Sequence, residues 1–549
     1  MTDTVTLFDD AQRSQIDSSL DETLFVEAGA GSGKTHSLVK RIISLVSSPS
    51  NIPLRNIAAI TFTEKAATEL KHRIRIQLEE LRSNANDENF ERFENALNDL
   101  DGAAISTVHG FARRILAEFP VEANLPPRFE TVDEINSQVA FQYRMEGLLD
   151  DLFADEDWAE TLLFADAIEF KPVQHLTDIA MALNSNWDLL TPFPCPNLPT
   201  DDFSDLIIRG HAMMNQIDDC FGDTAKDSMV KLLTKVSQLV RSLENAFDAT
   251  SSLEILHKAV AGSSPLTQKV DRVGSKSNWH NIHAVRAEYS EFRTLLQQQH
   301  QQFVDAILNR FLSYLTDFTL RSAIDRRVNG CLEFHDLLVL ARNTLRDPLH
   351  GADVRSVLHS KYQRLLLDEF QDTDPIQIEL AVLIASPPTG DSSLSWQSLS
   401  VEPGRLFFVG DPKQSIYRFR RADIGLFLEA RNKFTTEATE LSTNFRSVTP
   451  IIEWVNSVFN NLIQYEAGSQ PEYKSLVPFR DPAPYGPGVG LIGQSAHHKK
   501  DKIDAIRAAE ALDIAATILA AKQDGWSVQR NNDWAPAKFN DMAVLVPSK

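Results

Sequence analysis

The chain has 549 residues, of which 43% are hydrophobic and 24% are charged. That balance is typical of folded globular domains and excludes a largely disordered chain; at roughly 150 residues per domain, the length indicates about three or four domains. The formal net charge of −22 argues against a protein that coats nucleic acid through a global positive field, but it is compatible with a locally basic groove.

The sequence shows no signal for a membrane, for secretion or for a cysteine-based metal clip. No window approaches the ~18 apolar residues that a membrane span needs. The acidic first ten residues do not resemble a secretory signal. Cys195, Cys220 and Cys331 are far apart and form no CxxC pair, which argues against a zinc ribbon or an iron–sulfur clip. We therefore expect a cytoplasmic protein without a membrane segment.

The first block, residues 1–120, predicts a parallel α/β sheet. A strand-like apolar run at 24–26 ends in a glycine-rich loop, and apolar residues recur at helical spacing from Leu38. A second apolar run at 57–60 precedes a helix that we predict from 64 to about 80. Alternating strands and helices of this kind are typical of α/β folds.

The character of the chain changes at about residue 121 and changes back near residue 360. Residues 121–330 lack strand-like runs and predict a mostly helical insertion, in which the glutamine-rich tract at 297–302 is interpreted as a solvated helix face. Apolar runs at 365–367 and 406–409 then predict two further buried strands. They can share one sheet with the first strands because the cost of closing a loop grows slowly with its length.

The glycine-rich loop carries the strongest chemical signal. It fits the phosphate-binding consensus except that Ala28 replaces the first glycine. We expect Lys34 to reach the β- and γ-phosphates of a nucleotide and the Thr35 hydroxyl to bind Mg²⁺. The alternative is a chance glycine-rich turn, which the preceding strand and the Lys-Thr register disfavour. The predicted nucleotide contacts of the loop are Ala28, Gly29, Ala30, Gly31, Ser32, Gly33, Lys34 and Thr35.

Two adjacent carboxylates follow the apolar run at 365–367. A parallel strand delivers Asp368 and Glu369 to the sheet edge at which ligands bind. We expect Asp368 to serve the Mg²⁺ that accompanies ATP, and Glu369 to orient and deprotonate the attacking water. Taken alone, the pair is explained equally well as solvated loop charge, and the phosphate-binding loop favours the catalytic interpretation.

A third polar loop follows the apolar run at 406–409. Gln414 is a neutral donor that could contact the γ-phosphate. Beyond it, Tyr417 and Phe419 alternate with arginines, which suits a nucleic-acid single strand because rings stack on bases while guanidinium groups meet phosphates. An amphipathic strand with a core aromatic face explains this alternation equally well.

These loops resemble the motifs of superfamily 1 DNA helicases of the UvrD/Rep group. Residues 28–35, 368–372 and 410–417 match three of that family's motifs in order. Residues 12–13 resemble its adenine-reading Q motif, 61–67 its motif Ia, 106–111 its motif Ib and 441–447 its motif IV. The resemblance implies a P-loop NTPase of RecA-like fold that uses ATP and Mg²⁺ to move 3′ to 5′ on single-stranded DNA and to unwind 3′-tailed duplexes.

The resemblance also implies roles for individual residues. Gln12 would hydrogen-bond the adenine, Phe445 would stack on it, and Arg446 would act as an arginine finger at the γ-phosphate. The residues that would line the single-strand path are Phe62, Thr63, His109, Tyr417 and Phe419. Two positions depart from the family pattern: His36 stands where relatives often carry arginine, and Phe419 where many carry tryptophan.

The family pattern further implies a domain organisation. A first RecA-like motor domain would comprise residues 1–120 and 331–435, interrupted by the helical insertion at 121–330, with an incomplete second motor domain at 436–549. The segments at 411–413 and 332–338, together with the long insertion, resemble the AddA/RecB branch of helicase–nuclease subunits in double-strand-break repair. That branch implies a partner nuclease–helicase subunit.

The family's motifs V and VI do not occur in these 549 residues, so we expect a truncated chain or fragment. The apolar residues at 542–546 are predicted to be an early strand of the second motor domain. The rival hypothesis is an ATP-binding module that acts in assembly with a partner and does not unwind DNA. A P-loop small-molecule kinase has no support, because such an enzyme has no place for Gln414 or for residues 61–67.

Overall fold

The computed structural model of the chain describes residues 6–48, 52–200, 202–388, 391, 393–418, 421–435, 437–493, 498–499, 502–530 and 533–546. The chain divides into two compact units. The sheet unit comprises Met1–Pro127 and Leu337–Lys549, and the helical unit comprises Arg128–Asp336.

The strands of the described residues are β1 (Leu24–Ala28), β2 (Ile57–Thr61), β3 (Ala104–Thr107), β4 (Glu130–Thr131), β5 (Cys331–Leu332), β6 (Arg364–Leu367), β7 (Leu406–Gly410), β8 (Thr439–Leu441), β9 (Thr443–Val448), β10 (Val477–Arg480), β11 (Ser527–Arg530) and β12 (Asp533–Pro536). The α-helices are α1 (Asp10–Ser18), α2 (Lys34–Ser47), α3 (Glu64–Ser83), α4 (Asp87–Asp99), α5 (Val108–Glu118), α6 (Glu134–Ala154), α7 (Ala159–Ala167), α8 (Pro172–Asn184), α9 (Ser204–Asn215), α10 (Ser228–Glu244), α11 (Ala249–Val260), α12 (Ile282–Asn329), α13 (Phe334–Arg346), α14 (Gly351–Lys361), α15 (Pro375–Ala385), α16 (Ile424–Phe434), α17 (Thr449–Leu462) and α18 (Ile503–Gln523).

Six parallel strands form the central sheet of the sheet unit, in the spatial order β3-β2-β6-β7-β1-β8. β6 and β7 lie between β2 and β1, although the helical unit separates them in sequence from both. Because all six strands run in one direction, their carboxyl ends lie along one edge of the sheet. The predicted parallel α/β architecture is therefore confirmed, and the polar loops after five of its strands meet at that edge.

Both faces of the sheet are buried, which explains why its strands read as continuous apolar runs. Leu24 and Val26 of β1 belong to a core that includes apolar residues of α1, α2 and α3. On the opposite face, the ring of Phe25 packs against aromatic side chains at centroid distances of 5.7, 5.2 and 4.9 Å, namely Phe370, Phe408 and Phe427. Aromatic pairs at such distances add to the free energy of burial.

The helical unit is organised around α12, which has 48 residues and is therefore about 72 Å long. Asn281 caps its first turn by accepting from Ala284 N, and Gly330 ends it in the left-handed region with φ 68°. The glutamine-rich tract at 297–302 lies on α12 and is mostly exposed, as predicted. Apolar side chains of α6 to α12 form one continuous core within this unit.

The last hundred residues depart in part from the sequence-based prediction. β8 joins the six-stranded sheet beside β1, whereas β9 with β10 and β11 with β12 form separate two-stranded pairs. The domain boundary at 436 thus stays a prediction. The strand predicted at 542–546 is wrong, since these residues have no regular secondary structure and Leu545 is 95% exposed. A strand requires hydrogen bonds to a neighbour, and no described strand pairs with this segment.

Among the helices that the structure describes, none has the length and apolarity that crossing a bilayer would require.

Candidate nucleotide site and single-strand path

The glycine-rich loop joins β1 directly to the first turn of α2. Gly31 and Gly33 have φ of 68° and 89°, in the left-handed region that favours glycine. Gly33 is the N-cap of α2, and no side chain caps this helix. The first N–H groups of a helix have no intrahelical acceptor, so the start of α2 offers donors and a positive dipole end to an anion.

The two carboxylates after β6 lie against this loop. Lys34 Nζ and Glu369 Oε2 are 2.6 Å apart. Glu369 has φ 51°, a left-handed conformation that is uncommon outside glycine and typical of functional positions. Asp368 is buried, and its carboxylate accepts from Glu369 N at 3.0 Å. The sheet order therefore brings together residues that are 335 positions apart in sequence.

Burial and like charge change the protonation of these acids. Burial, with Glu369 as a neighbouring negative charge, raises the pKa of Asp368 to about 7. The same two causes raise the pKa of Asp372 to about 6. Two carboxyls that resist ionisation together are favourable ligands for a cation, because a positive charge relieves their repulsion.

The residues present fit a nucleotide with its metal. Four buried side-chain atoms of the loops lack a hydrogen-bond partner: Gln12 Oε1, Ser32 Oγ, Asp372 Oδ1 and Thr373 Oγ1. Such atoms cost free energy unless a ligand or water satisfies them. In the described part of the chain no three His, Cys, Asp or Glu residues are grouped as metal ligands. Mg²⁺ commonly uses one or two carboxylates beside substrate phosphates, which suits the pair of Thr35 and Asp368.

A cationic and aromatic cluster lies beside the loop. The Arg13 guanidinium pairs with Asp9 at 2.9 Å, donates to Ser32 O at 2.8 Å, and lies 5.0 Å from the ring centroid of Phe445. The rings of Phe445 and Phe479 are 4.9 Å apart. An added Cβ at Gly33 would lie 3.8 Å from the Phe445 ring, so this aromatic surface borders the phosphate loop. Asp9 and Phe479 were not singled out from the sequence.

Asp9 anchors the cluster to residues far along the chain. Its carboxylate accepts from Ser442 N, Thr443 N and Thr443 Oγ1 at 3.0, 3.1 and 2.8 Å. Burial alone would raise the pKa of Asp9, but hydrogen bonds from Arg13 and Thr443 outweigh it and lower the pKa. An acid spaced three residues before Gln12 was the available signal, and it became interpretable only with its partner.

The segment that carries Arg446 lies directly over the phosphate loop. Phe445 N donates to Gly31 O at 2.9 Å, and Asn444 Nδ2 donates to Ala30 O at 2.5 Å. An added Cβ at Gly31 would lie 2.7 Å from the Cβ of Arg446. The predicted arginine is thus brought to the loop, and Asn444 is a further contact that sequence reasoning missed.

Gln414 is held away from the lysine–carboxylate pair. Its Nε2 donates to Asp411 Oδ2 at 2.7 Å, within its own loop. The polar link between this loop and the carboxylates is made by Gln371, whose Nε2 donates to Glu369 Oε2 and whose Oε1 accepts from Asp411 N, each at 2.9 Å. Gln371 was present in the matched motif but was given no role.

The residues predicted for a single-strand path follow β2, β3 and β7. The rings of Phe62 and Tyr417 are 4.9 Å apart with 39° between their planes. The Thr63 hydroxyl caps α3 by accepting from Ala66 N at 3.1 Å, and His109 lies in the first turn of α5. Phe419 lies outside the described residues.

The parallel sheet, with a phosphate-type loop after β1 and paired carboxylates after β6, defines a P-loop NTPase. The chain belongs to the UvrD/REP helicase N-terminal domain family, whose model matches residues 8–435.

Curated relatives narrow this similarity. The chain is 27% identical over 504 residues to an ATP-dependent helicase/nuclease subunit of Pediococcus pentosaceus, covering 83% of this chain and 39% of the relative. It is 26% identical over 523 residues to the protein of the same name from Ligilactobacillus salivarius, covering 84% and 39%. For the protein of that name from Bacillus cytotoxicus the values are 23% over 588 residues, 96% and 46%. The chain thus spans less than half the length of these relatives.

Proposed function

We propose that the chain is the ATP-hydrolysing motor part of a DNA helicase that moves 3′ to 5′ on single-stranded DNA. The observation that carries the proposal is the 2.6 Å contact between Lys34 Nζ and Glu369 Oε2. It sets the predicted phosphate-binding lysine and the predicted general base within one small site, at the sheet edge where P-loop enzymes act. The family membership of residues 8–435 supports the same conclusion.

In this proposal, the phosphate loop and the start of α2 bind the phosphates of ATP, and Lys34 exchanges Glu369 for the β- and γ-phosphates. Thr35 and Asp368 would hold Mg²⁺, which when bound neutralises charge on the phosphates. Glu369, released from Lys34, accepts a proton from the attacking water. Arg446 reaches the phosphates from the segment above the loop.

The nucleobase is proposed to bind beside Gln12 and Phe445. Gln12 Oε1 is buried without a partner and can accept from an adenine amino group. The Phe445 ring offers a stacking face, and the Arg13 guanidinium lies over this ring.

The polymer substrate is proposed to be single-stranded DNA, including the tail of a 3′-tailed duplex. The paired rings of Phe62 and Tyr417 provide a stacking surface. The 3′ to 5′ direction comes from the resemblance to UvrD/Rep helicases. The printed names of the relatives support a helicase–nuclease of double-strand-break repair that acts with a partner nuclease–helicase subunit.

The decisive measurement is phosphate release from ATP with and without oligo(dT), for the wild-type chain and for Glu369→Gln. We expect DNA to stimulate hydrolysis. Glu369→Gln should retain binding of a fluorescent ATP analogue while turnover falls by about 10²–10⁴-fold, the range for loss of a general base. Retained turnover would exclude Glu369 as the base. Nucleotide binding with no hydrolysis by the wild-type chain would favour the rival, an ATP-binding module that acts in assembly with a partner.

Direction is tested separately by strand displacement from 3′-tailed and 5′-tailed duplexes. The full-length protein that contains this chain should displace a strand only from the 3′-tailed duplex. Preference for a 5′ tail would contradict the proposed polarity without affecting the ATP site.

A further inference from the structure

Gln371 connects the catalytic carboxylate to the loop after β7 through both ends of its amide. Its Nε2 donates at 2.9 Å to Glu369 Oε2, the same oxygen that pairs with Lys34. Its Oε1 accepts from the backbone N–H of Asp411 at 2.9 Å. The side chain is only 2% exposed, so these hydrogen bonds are shielded from water and correspondingly strong.

The loop after β7 is attached to Gln371 a second time. Ser415 Oγ donates to the backbone carbonyl of Gln371 at 3.0 Å. Two residues further along this loop, the Tyr417 ring lies 4.9 Å from the ring of Phe62. A continuous path of contacts therefore runs from the phosphate-loop lysine, through the amide, to the paired rings of the proposed single-strand path.

Gly410 shows how closely the amide is seated. An added Cβ at Gly410 would lie 2.6 Å from Gln371 Oε1, which is closer than two such atoms can approach. The next nearest atoms, Phe370 N and Gln371 N, would be 3.1 and 3.2 Å away. A methyl group at this position would therefore displace mainly the amide, while every polar group of the path is retained.

We propose that Gln371 is the positioning residue that couples the nucleotide site to the single-strand path. This inference rests on the proposed function, because it requires that both ligands bind the chain. Phosphates that draw Lys34 away leave Glu369 Oε2 with Gln371 Nε2 as its remaining partner. The amide is rigid, so a shift at Nε2 moves Oε1 and the loop of Asp411 with it. By reciprocity, a strand bound at Tyr417 positions Glu369.

The coupling is measured as the ratio of oligo(dT) dissociation constants without and with a non-hydrolysable MgATP analogue. For coupled sites this ratio is on the order of 5–150-fold. Gln371→Met removes both amide hydrogen bonds at similar side-chain volume, and we expect the ratio to fall close to one while each ligand alone still binds. Gln377→Met is the matched control: Gln377 is also buried but lies outside the path, on α15.

Two further variants test the path without relying on the folding of Gln371→Met. Gly410→Ala should also abolish coupling, whereas Gly147→Ala should not, because nothing lies within 4 Å of an added Cβ at Gly147. Gln371→Glu keeps an acceptor for Asp411 N but replaces the donor to Glu369 by a like charge. It should therefore lose coupling as well. Thermal melts of each variant show whether it is folded at the assay temperature.

The outcomes separate this inference from the proposed function. An unchanged ratio in Gly410→Ala and in Gln371→Met, with both ligands bound, overturns the role of Gln371 and leaves the proposed function in place. A wild-type chain that binds both ligands with no mutual effect also overturns it. Failure of the wild-type chain to bind nucleotide or oligo(dT) overturns the proposed function, and the role of Gln371 falls with it.

Discussion

Lys34 is engaged by Glu369 at 2.6 Å, so phosphate must compete with a carboxylate for the same ammonium group. Lys34→Ala should lower the affinity for a fluorescent ATP analogue roughly ten- to a hundredfold, since hydrogen bonds to charged groups contribute about 1.5–3 kcal/mol. Lys40→Ala is the control on the same helix, where Lys40 only approaches Asp17 at 3.7 Å on the surface. Equal affinity in the two variants would sink the assignment of Lys34.

The pH dependence of stability follows from the raised pKa values of Asp368, about 7, and Asp372, about 6. A carboxyl whose pKa is raised on folding keeps its proton in the folded chain where the unfolded chain has lost it. Stability therefore falls as pH rises from about 4 to about 7. Asp368→Asn removes this penalty, so its melting temperature should exceed that of the wild type by several degrees at pH 8 and by less at pH 5. Equal shifts at both pH values would contradict the pKa assignment.

At this scale, what the sequence could predict depended on local signals. Lys34 and Thr35 follow a strand within a recognisable loop, and Asp368 follows another. Asn444, Phe479 and the amide of Gln371 carry no such local pattern. Their contacts depend on tertiary packing: Asn444 reaches a carbonyl 414 positions away in sequence. The roles of all these residues stay predictions until variants are measured.

The paired rings after β2 and β7 form the element that a single strand would contact. Tyr417→Ala and Phe62→Ala should each weaken oligo(dT) binding about 5- to 150-fold, because stacking contributes roughly 1–3 kcal/mol per base. Phe90→Ala, at a ring that is 48% exposed on α4, should leave binding unchanged. Fluorescence anisotropy measures the affinity. A large fall in melting temperature with unchanged affinity would instead identify the two rings as packing residues.

Among the elements, buried parallel strands were predicted well and the last strand was not. β1, β2, β6 and β7 are short apolar runs that end in polar loops, and such runs are favoured wherever a sheet is covered on both faces. The run at 542–546 has the same composition, yet it remains exposed and irregular. Apolar composition indicates what a segment can bury, but only a paired neighbour makes it a strand.

For the whole molecule, the two compact units predict different behaviour as fragments. Residues 128–336 hold a continuous apolar core, and Asp336 at their end is fixed by Arg326 at 2.7 Å and by Trp187 Nε1 at 2.9 Å. We expect this fragment to melt cooperatively when it is produced alone. Residues 1–127 should not, because β1 and β2 would lack β6 and β7. Circular dichroism melts test both, and a non-cooperative 128–336 fragment would contradict an independent unit.

The strand order also dictates a schedule for synthesis on the ribosome. β1 lies between β7 and β8, and Leu24 is paired in register with Phe407. At about 5–20 residues per second, roughly 20–80 s pass between the emergence of these two residues. During that interval the helical unit can fold from local contacts, while the apolar strand that precedes the phosphate loop waits without either neighbour. We therefore expect chaperones to bind the nascent chain at residues 24–28, and the nucleotide site to form among the last features of the fold, although its loop is among the first segments to be made.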